Sequence, residues 1–137
     1  MKLKVILDER AFMPEKAHDD DAGYDIRALK GYILRPHKKR VVETGVHIQL
    51  QKDTVAYVKN RSSMFSDGII TDGTIDPGYT GPIKVVLFNT NDEHRLVKRG
   101  DKVAQLVLHP ILSPQFEIVN KFEETDRGDG GFGSSGR

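Results

Sequence analysis

Short apolar runs that alternate with polar residues and end at glycine, proline or polar turns restrict this chain to an all-β fold. The alternation has a period of two, which is typical of strands with one buried face. No long stripe has the helical spacing i, i+3, i+4, i+7, and we expect one short helix at residues 61–66. Frequent turns between short strands indicate a sandwich, a jelly roll or a barrel. The predicted strands are residues 3–7, 41–50, 54–58, 83–88, 102–108 and 116–119, with 41–50 and 54–58 paired through the polar stretch 51–53.

Length and composition exclude several classes of protein. With 137 residues the chain suits one domain and leaves little room for a deep pocket, which favours a site shared between subunits. The net charge of +1 gives no field that would attract nucleic acid or an anionic membrane. The absence of cysteine excludes disulfides, zinc–thiolate sites and thiol nucleophiles. The apolar runs are too short for a signal peptide or a bilayer span, so we expect a soluble, cytoplasmic protein.

The composition changes beyond Thr125, where five glycines lie among residues 126–137. A frayed terminus is one interpretation of a segment with so little to bury. A mobile lid is the other, because arginine pairs with phosphate oxygens, glycine amides approach phosphates closely and a phenylalanine ring stacks on a base. The groups of this kind in the segment are Arg127, Phe132, Ser134 and Ser135. We predict a β domain at residues 1–125 and a flexible glycine-rich arm at residues 126–137.

The sequence Asp-Pro-Gly-Tyr at residues 76–79 has proline and glycine at the two central positions of a turn. This order favours type II geometry and places Asp76 at the first corner of the turn. Such a carboxylate is either a solvated turn group or a functional acid, and the turn by itself does not distinguish the two.

Three other segments carry polar groups in unusual places. Gln105 lies on one face of an otherwise apolar strand, where an amide needs partners, although a structural hydrogen bond is the commoner explanation. Arg61, Ser62 and Ser63 supply a guanidinium, hydroxyls and free amides at the start of the predicted helix. This set suits an anion, but an ordinary serine N-cap would look similar. Asp25 enters a strand behind a glycine turn and is a weak signal by itself.

Together these segments resemble the five motifs of the trimeric dUTPase family, in the right order and over nearly the whole chain. Each motif alone is poor support for membership of this family, but five motifs in the right order are strong support. The resemblance implies a single-domain, jelly-roll-like distorted barrel that forms a homotrimer with sites at its subunit interfaces. It also implies hydrolysis of dUTP to dUMP and pyrophosphate, which limits uracil in DNA and supplies dUMP for dTMP synthesis. The matching motifs are residues 22–28, 61–63, 73–81, 99–105 and 127–136.

The family pattern implies catalytic and metal roles for particular residues. Asp76 would be the general base for the water that attacks the α-phosphorus, and Gln105 would help to hold this water or the α-phosphate. Arg61 and Ser62 would contact the phosphate chain from a neighbouring subunit. Mg²⁺ is the implied cofactor, held mainly by the triphosphate, with Asp25 orienting its water ligands.

The family pattern also implies how the nucleotide is bound. Uracil would enter a β-hairpin formed by the third motif, with Tyr79 packed beneath the deoxyribose. Arg127 and Ser135 would grip the γ-phosphate while Phe132 stacks over uracil and the arm closes. The implied substrate-binding residues are Arg61, Ser62, Ser63, Gly73, Ile75, Tyr79, Arg127, Gly131, Phe132, Gly133 and Ser135.

The sequence departs from the family pattern at three places. The stretch from Ser62 to Gly73 is shorter than in many relatives, which puts the recognition of the uracil edge in question. Ser63 stands where glycine is frequent, and Ser135 where threonine is frequent; the second change keeps the hydroxyl.

Two alternative functions follow from the same fold. The dCTP deaminases share the turn at residues 76–79, but they carry a catalytic glutamate on the following strand, where this chain has Val86. A valine cannot shuttle protons, which argues against deamination. The second alternative is a protein of this fold that acts mainly as a regulatory module and binds a protein partner.

Overall fold

Short antiparallel strands make up nearly all of the regular structure in the computed structural model, which describes residues 1–136. The predicted all-β fold is confirmed, and the predicted short helix lies at Ser62–Ser66. No helix among the described residues is long and apolar enough to cross a bilayer. The elements in chain order are β1 (Lys4–Leu7), β2 (Tyr24–Arg27), β3 (Tyr32–Leu34), β4 (Lys39–Glu43), β5 (Val46–Gln49), β6 (Thr54–Lys59), α1 (Ser62–Ser66), β7 (Ile69–Ile70), β8 (Gly73–Ile75), β9 (Lys84–Asn89), β10 (Arg95–Val97) and β11 (Lys102–Pro110).

Four antiparallel sheets within residues 1–136 share one hydrophobic core. Their strand orders are β1-β5, β10-β3, β2-β11-β6-β8 and β4-β9-β7. Each sheet contributes side chains to the same buried cluster, because one face of its strands carries the apolar positions of the alternating pattern. The shared core agrees with the predicted jelly-roll-like fold. The bulkiest fully buried side chains are Ile26, Leu34, Ile69, Ile83, Leu87 and Leu106.

The prediction of one strand at residues 41–50 is wrong, because the run divides into β4 and β5. The break is at Gly45, whose φ of 68° lies in the left-handed region that glycine adopts readily. A Cβ at this position would also meet the Ala11 Cβ at 2.8 Å. The predicted pairing with residues 54–58 is wrong as well: β5 pairs with β1, whereas β6 pairs with β11 and β8.

The strand predicted at residues 116–119 is absent, and the last strand ends at Pro110. Phe116 and Ile118 are 97% and 99% exposed. A strand needs a ladder partner to be stable, and within residues 1–136 this run has none. The structure also contains strands of two or three residues that are too short to carry a visible alternation, namely β3, β7, β8 and β10.

The N-terminal strand is less buried than the strands of the central sheets. The strand predicted at residues 3–7 is present as β1, but its inward face is only half-buried at Val5, and Leu7 is 37% exposed. The boundary between a domain at residues 1–125 and an arm at residues 126–137 stays a prediction. Residue 137, the last of the predicted arm, lies outside the described residues.

Candidate active site

A polar pocket of about 370 Å³ lies where β2, β11 and the start of α1 meet, and we call it the Asp25 pocket. Asp25 on β2 stands directly opposite Gln105 on β11 in the ladder. The N-cap of α1 is Arg61 and not Ser62, and the Arg61 side chain makes no capping hydrogen bond. The structure therefore brings together candidates from three of the sequence motifs. The pocket is lined by Ala17, Asp21, Ala22, Asp25, Arg61, Ser62, Ser63 and Gln105.

The carboxylate of Asp25 is paired with two cations. Its Oδ1 accepts a hydrogen bond from Arg61 Nε at 3.0 Å, and its Oδ2 lies 3.2 Å from Lys102 Nζ. Asp25 is only 9% exposed, and a buried carboxylate requires such partners. The pairs hold the Arg61 guanidinium at the edge of the pocket. The sequence interpretation assigned Lys102 no role, although it lies inside the fourth motif, three residues before Gln105.

The amide of Gln105 makes a structural hydrogen bond, which was one of the two explanations that its position on an apolar strand left open. Its Nε2 donates to the backbone carbonyl of Asn60 at 2.8 Å. Gly23 provides the space for this amide, because a Cβ at Gly23 would collide with Gln105 Oε1. Gly23 is thus a part of the site that residue chemistry alone does not reveal, since it carries no functional group.

A second, smaller pocket of about 260 Å³ is built around residues 76–83, which we call the Asp76 loop. The predicted turn is present, with Tyr79 N donating to Asp76 O at 3.0 Å. Its predicted type II geometry is wrong, because that geometry needs a positive φ at Gly78 and Gly78 has none. Asp76 is exposed at the mouth of this pocket. The lining residues are Thr74, Ile75, Asp76, Tyr79, Pro82, Ile83 and Lys84.

The ring of Tyr79 folds back over its own loop. Its hydroxyl donates to Pro82 O at 2.8 Å, and a Cβ at Gly81 would lie 2.5 Å from that hydroxyl. Glycine at this position lets the ring lie flat against the backbone, while the side chain stays 44% exposed. One face of the ring is therefore free to pack against a ligand.

The third motif does not form a hydrogen-bonded hairpin, contrary to the expectation from the sequence. The strand before the loop, β8, pairs with β6, whereas the strand after it, β9, pairs with β4 and β7. The two strands belong to different sheets, so the Asp76 loop bridges between sheets. On β9, Val86 is 40% exposed and is paired with Val41, and the strand carries no acidic residue.

Two groups outside the motifs hold the Asp76 loop. The hydroxyl of Thr44, which is fully buried, donates to Ile83 O at 2.7 Å. The His47 ring lies between Thr80 O, 3.0 Å from Nδ1, and Asp8 Oδ1, 2.9 Å from Nε2. The backbone contact to Thr80 raises the pKa of His47 from its ordinary 6.5; burial opposes this shift, and the contact with Asp8 adds to it. No sequence motif indicated His47, because its partners are distant in the chain.

The C-terminal segment makes hydrogen bonds only within itself, as far as the described residues show. Arg127 Nε donates to Gly130 O at 2.6 Å, and successive turns join residues 125–136 to one another. Phe132 is fully exposed, and Gly131, Gly133 and Ser135 are exposed. Within one chain the structure therefore does not bring these predicted ligands to either pocket. Within one chain, Asp76 and Gln105 also line separate pockets.

Comparison with known proteins gives a consistent result. The family model described as dUTPase matches residues 9–136. The chain is 42% identical to the deoxyuridine 5'-triphosphate nucleotidohydrolase of Clostridium novyi (strain NT), over 99% of both chains.

Solved structures agree with this match. A mutant dUTPase of Staphylococcus bacteriophage 80alpha with dUpNHpp has a TM-score of 0.89 and 32% identity, covering 99% of both chains. A mutant dUTPase from phage phi11 of S. aureus, described as coordinating a structural Mg(II) ion, has a TM-score of 0.85 and 29% identity. That match covers 90% of this chain and 100% of the phage chain.

Proposed function

Because this chain belongs to the dUTPase family, we infer that it is a dUTP diphosphatase, which hydrolyses dUTP to dUMP and pyrophosphate. The observation that carries this inference is the family match over residues 9–136, which includes both pockets. The reaction limits uracil in DNA and supplies dUMP for dTMP synthesis. A cytoplasmic location, beside the nucleotide pool, is part of the proposal.

Asp76 is the proposed general base. Its carboxylate is exposed at the first corner of a turn, where it can accept a proton from a water molecule. That water attacks the α-phosphorus, and the bond to the pyrophosphate leaving group breaks. Phosphoryl transfer requires mainly an aligned nucleophile and groups that stabilise the spread of charge. Gln105 is proposed to hold the water or the α-phosphate, and its contact with Asn60 keeps the amide in place.

The separation of the two pockets supports a site completed by a second copy of the chain. Asp76 and Gln105 line different pockets of one chain, so contact with the same phosphate needs groups from a neighbour. We propose a homotrimer in which Arg61, Ser62 and Ser63 bind the phosphate chain beside another subunit's Asp76 loop. The ion pair with Asp25 holds the Arg61 guanidinium at the pocket for this role.

The nucleoside end is proposed to bind at the Asp76 loop. Gly73 and Ile75 on β8 would face uracil with backbone groups, and the free face of Tyr79 would lie beneath the deoxyribose. The exposed Phe132 is available to stack on the base from the other side. The proposed γ-phosphate and closing contacts come from Arg127, Gly131, Gly133 and Ser135.

Mg²⁺ fits this site only as a partner of the triphosphate. Within the described residues no cluster of three or more acidic or histidine side chains is suited to a metal. Both oxygens of Asp25 already contact cations, so Asp25 would reach the ion through water. Asp25 already pairs with both Arg61 and Lys102, so much of the negative charge of a triphosphate is left to be compensated by other groups. The ion would supply that compensation when bound.

Product analysis tests the proposal directly. The protein is incubated with Mg²⁺ and each nucleoside triphosphate, and the products are separated and identified. We expect dUMP and pyrophosphate from dUTP, with far slower turnover of dCTP, dTTP and UTP. Orthophosphate as the first product would refute attack at the α-phosphorus. Ammonia from dCTP would establish a deaminase, and the lack of any turnover would favour the regulatory binding module.

A further inference from the structure

His47 contacts two hydrogen-bond acceptors at the same time. One is the carboxylate of Asp8, just beyond β1, and the other is the backbone carbonyl of Thr80. A neutral imidazole has a single N–H and can donate to only one of them. The imidazolium form has two N–H groups and satisfies both. The geometry therefore calls for a protonated ring.

This contact links β5 and the end of β1 to the Asp76 loop. Ile83, at the far end of the loop, is fixed by Thr44 and by a backbone bond to Val46 O at 2.8 Å. Thr80 is exposed and directly follows Tyr79, so the His47 contact restrains the middle of the loop, close to the proposed catalytic groups.

We propose that His47 is a positioning residue for dUTP hydrolysis, which holds the backbone at Thr80 so that Asp76 and Tyr79 keep their catalytic geometry. The inference rests on the proposed function. His47 itself need not touch the substrate, because a small displacement of a catalytic group is enough to slow a reaction that depends on alignment.

Loss of the proton from His47 should release the loop. The remaining N–H will donate to Asp8, because a carboxylate is a stronger acceptor than a backbone carbonyl. The ring lone pair would then face Thr80 O, and the contact would be repulsive. The raised pKa of His47 means that the double contact is complete below pH 6.5 and is lost as pH rises through the raised value.

Other ionisable groups surround His47 and must be considered in any pH profile. On the β1 side these are Asp8 and Lys4, and Lys4 lines the same pocket of about 370 Å³ as His47 and Thr80. On the loop side the ionisable residues nearest to Thr80 in sequence are Asp76 and Tyr79, which line the neighbouring pocket, and the Tyr79 hydroxyl donates to Pro82 O. Only Asp8 and Thr80 form hydrogen bonds with the His47 ring in the described chain.

The test compares kcat and KM for dUTP hydrolysis from about pH 6 to pH 9 in four proteins: wild type, His47→Gln, Asp8→Asn and His94→Gln. His94 is an exposed histidine that lines neither pocket, and it serves as the matched control. We expect His47→Gln to lower kcat/KM by about tenfold near pH 6, with the difference from wild type vanishing at alkaline pH. His94→Gln should follow the wild-type profile throughout.

Asp8→Asn gives the opposite result if the mechanism is correct. An asparagine amide can donate to Nε2, so a neutral His47 can still donate from Nδ1 to Thr80 O. This variant should stay within about twofold of wild type near pH 6 and exceed it at alkaline pH. A purely structural role for His47 would not produce such a gain.

The outcomes separate the two proposals. A wild type that turns over dUTP, with a His47→Gln variant of unchanged profile, would overturn the positioning role alone. An Asp8→Asn variant whose kcat/KM falls at alkaline pH as the wild type's does would also overturn the positioning role. This variant provides the test if His47→Gln fails to fold. A wild type without dUTP turnover would overturn the proposed function.

Discussion

Substitution of Gly23 by alanine should inactivate the site through a residue that has no chemistry of its own. The added Cβ would collide with the Gln105 amide oxygen and would lie 3.0 Å from Gln105 Cβ. The amide can swing away because it ends a flexible side chain. When it does so, it loses its hydrogen bond to Asn60 and its position in the site. The Cβ contact also requires a small shift between β2 and β11.

The structure allows the loss of stability and the loss of kcat to be estimated. Loss of the Asn60 hydrogen bond and the mild overpacking together should lower the free energy of unfolding by roughly 2 kcal/mol. For a domain of this length the melting temperature should fall by about 5–10 °C. Removal of one group that holds the attacked phosphate or the water should lower kcat by about 10²–10³.

A double-mutant cycle distinguishes this route from general damage to the fold. Pyrophosphate release from dUTP is measured for Gly23→Ala, Gln105→Ala and the double variant, and melting is followed by circular dichroism. If Gly23→Ala acts through Gln105, the double variant should be no slower than Gln105→Ala. Gly31→Ala is the control, because its Cβ would make only an ordinary 3.4 Å contact with Val97 O. Normal turnover by Gly23→Ala, or effects that multiply, would refute the reasoning.

Three further predictions concern the base, the arm and the assembly. Asp76→Asn keeps the turn but cannot accept a proton, so kcat should fall by about 10²–10⁴. Calorimetry should still detect binding of a non-hydrolysable dUTP analogue. A near-normal rate would assign the role of general base to another group. The chain contains no tryptophan, so Phe132→Trp reports on the arm alone. Its emission should change with the dUTP analogue and Mg²⁺ and far less with the UTP counterpart, whereas no response at saturation would leave the arm as a frayed terminus. Finally, an Asp76→Asn chain and a chain truncated after Asp126, each nearly inactive alone, should regain activity when unfolded and refolded together. Light scattering should then report about three chains per particle, and a monomeric mass would rule out the shared site.

The sequence by itself determined the class of fold and the identity of most candidate site residues. Both depend on local information. Period-two alternation and turn residues act over a few positions, so they predicted an all-β chain and the turn that carries Asp76. The five motifs were recognisable for the same reason, because each is a short continuous segment. Type II geometry failed at Gly78, since the residue order permits more than one turn and neighbouring contacts decide which one forms.

Only the tertiary structure decided which groups meet. Asp25 and Arg61 are 36 positions apart, and His47 and Thr80 are 33 apart, so their contacts exist only once particular strands have paired. Strand pairing depends on long-range packing that local propensity does not specify, which is why the division at Gly45 and the exposed run at residues 116–119 were not predicted. Gly23 shows the same principle at the smallest scale. A missing side chain has meaning only when the neighbour that occupies its space, here Gln105, is known.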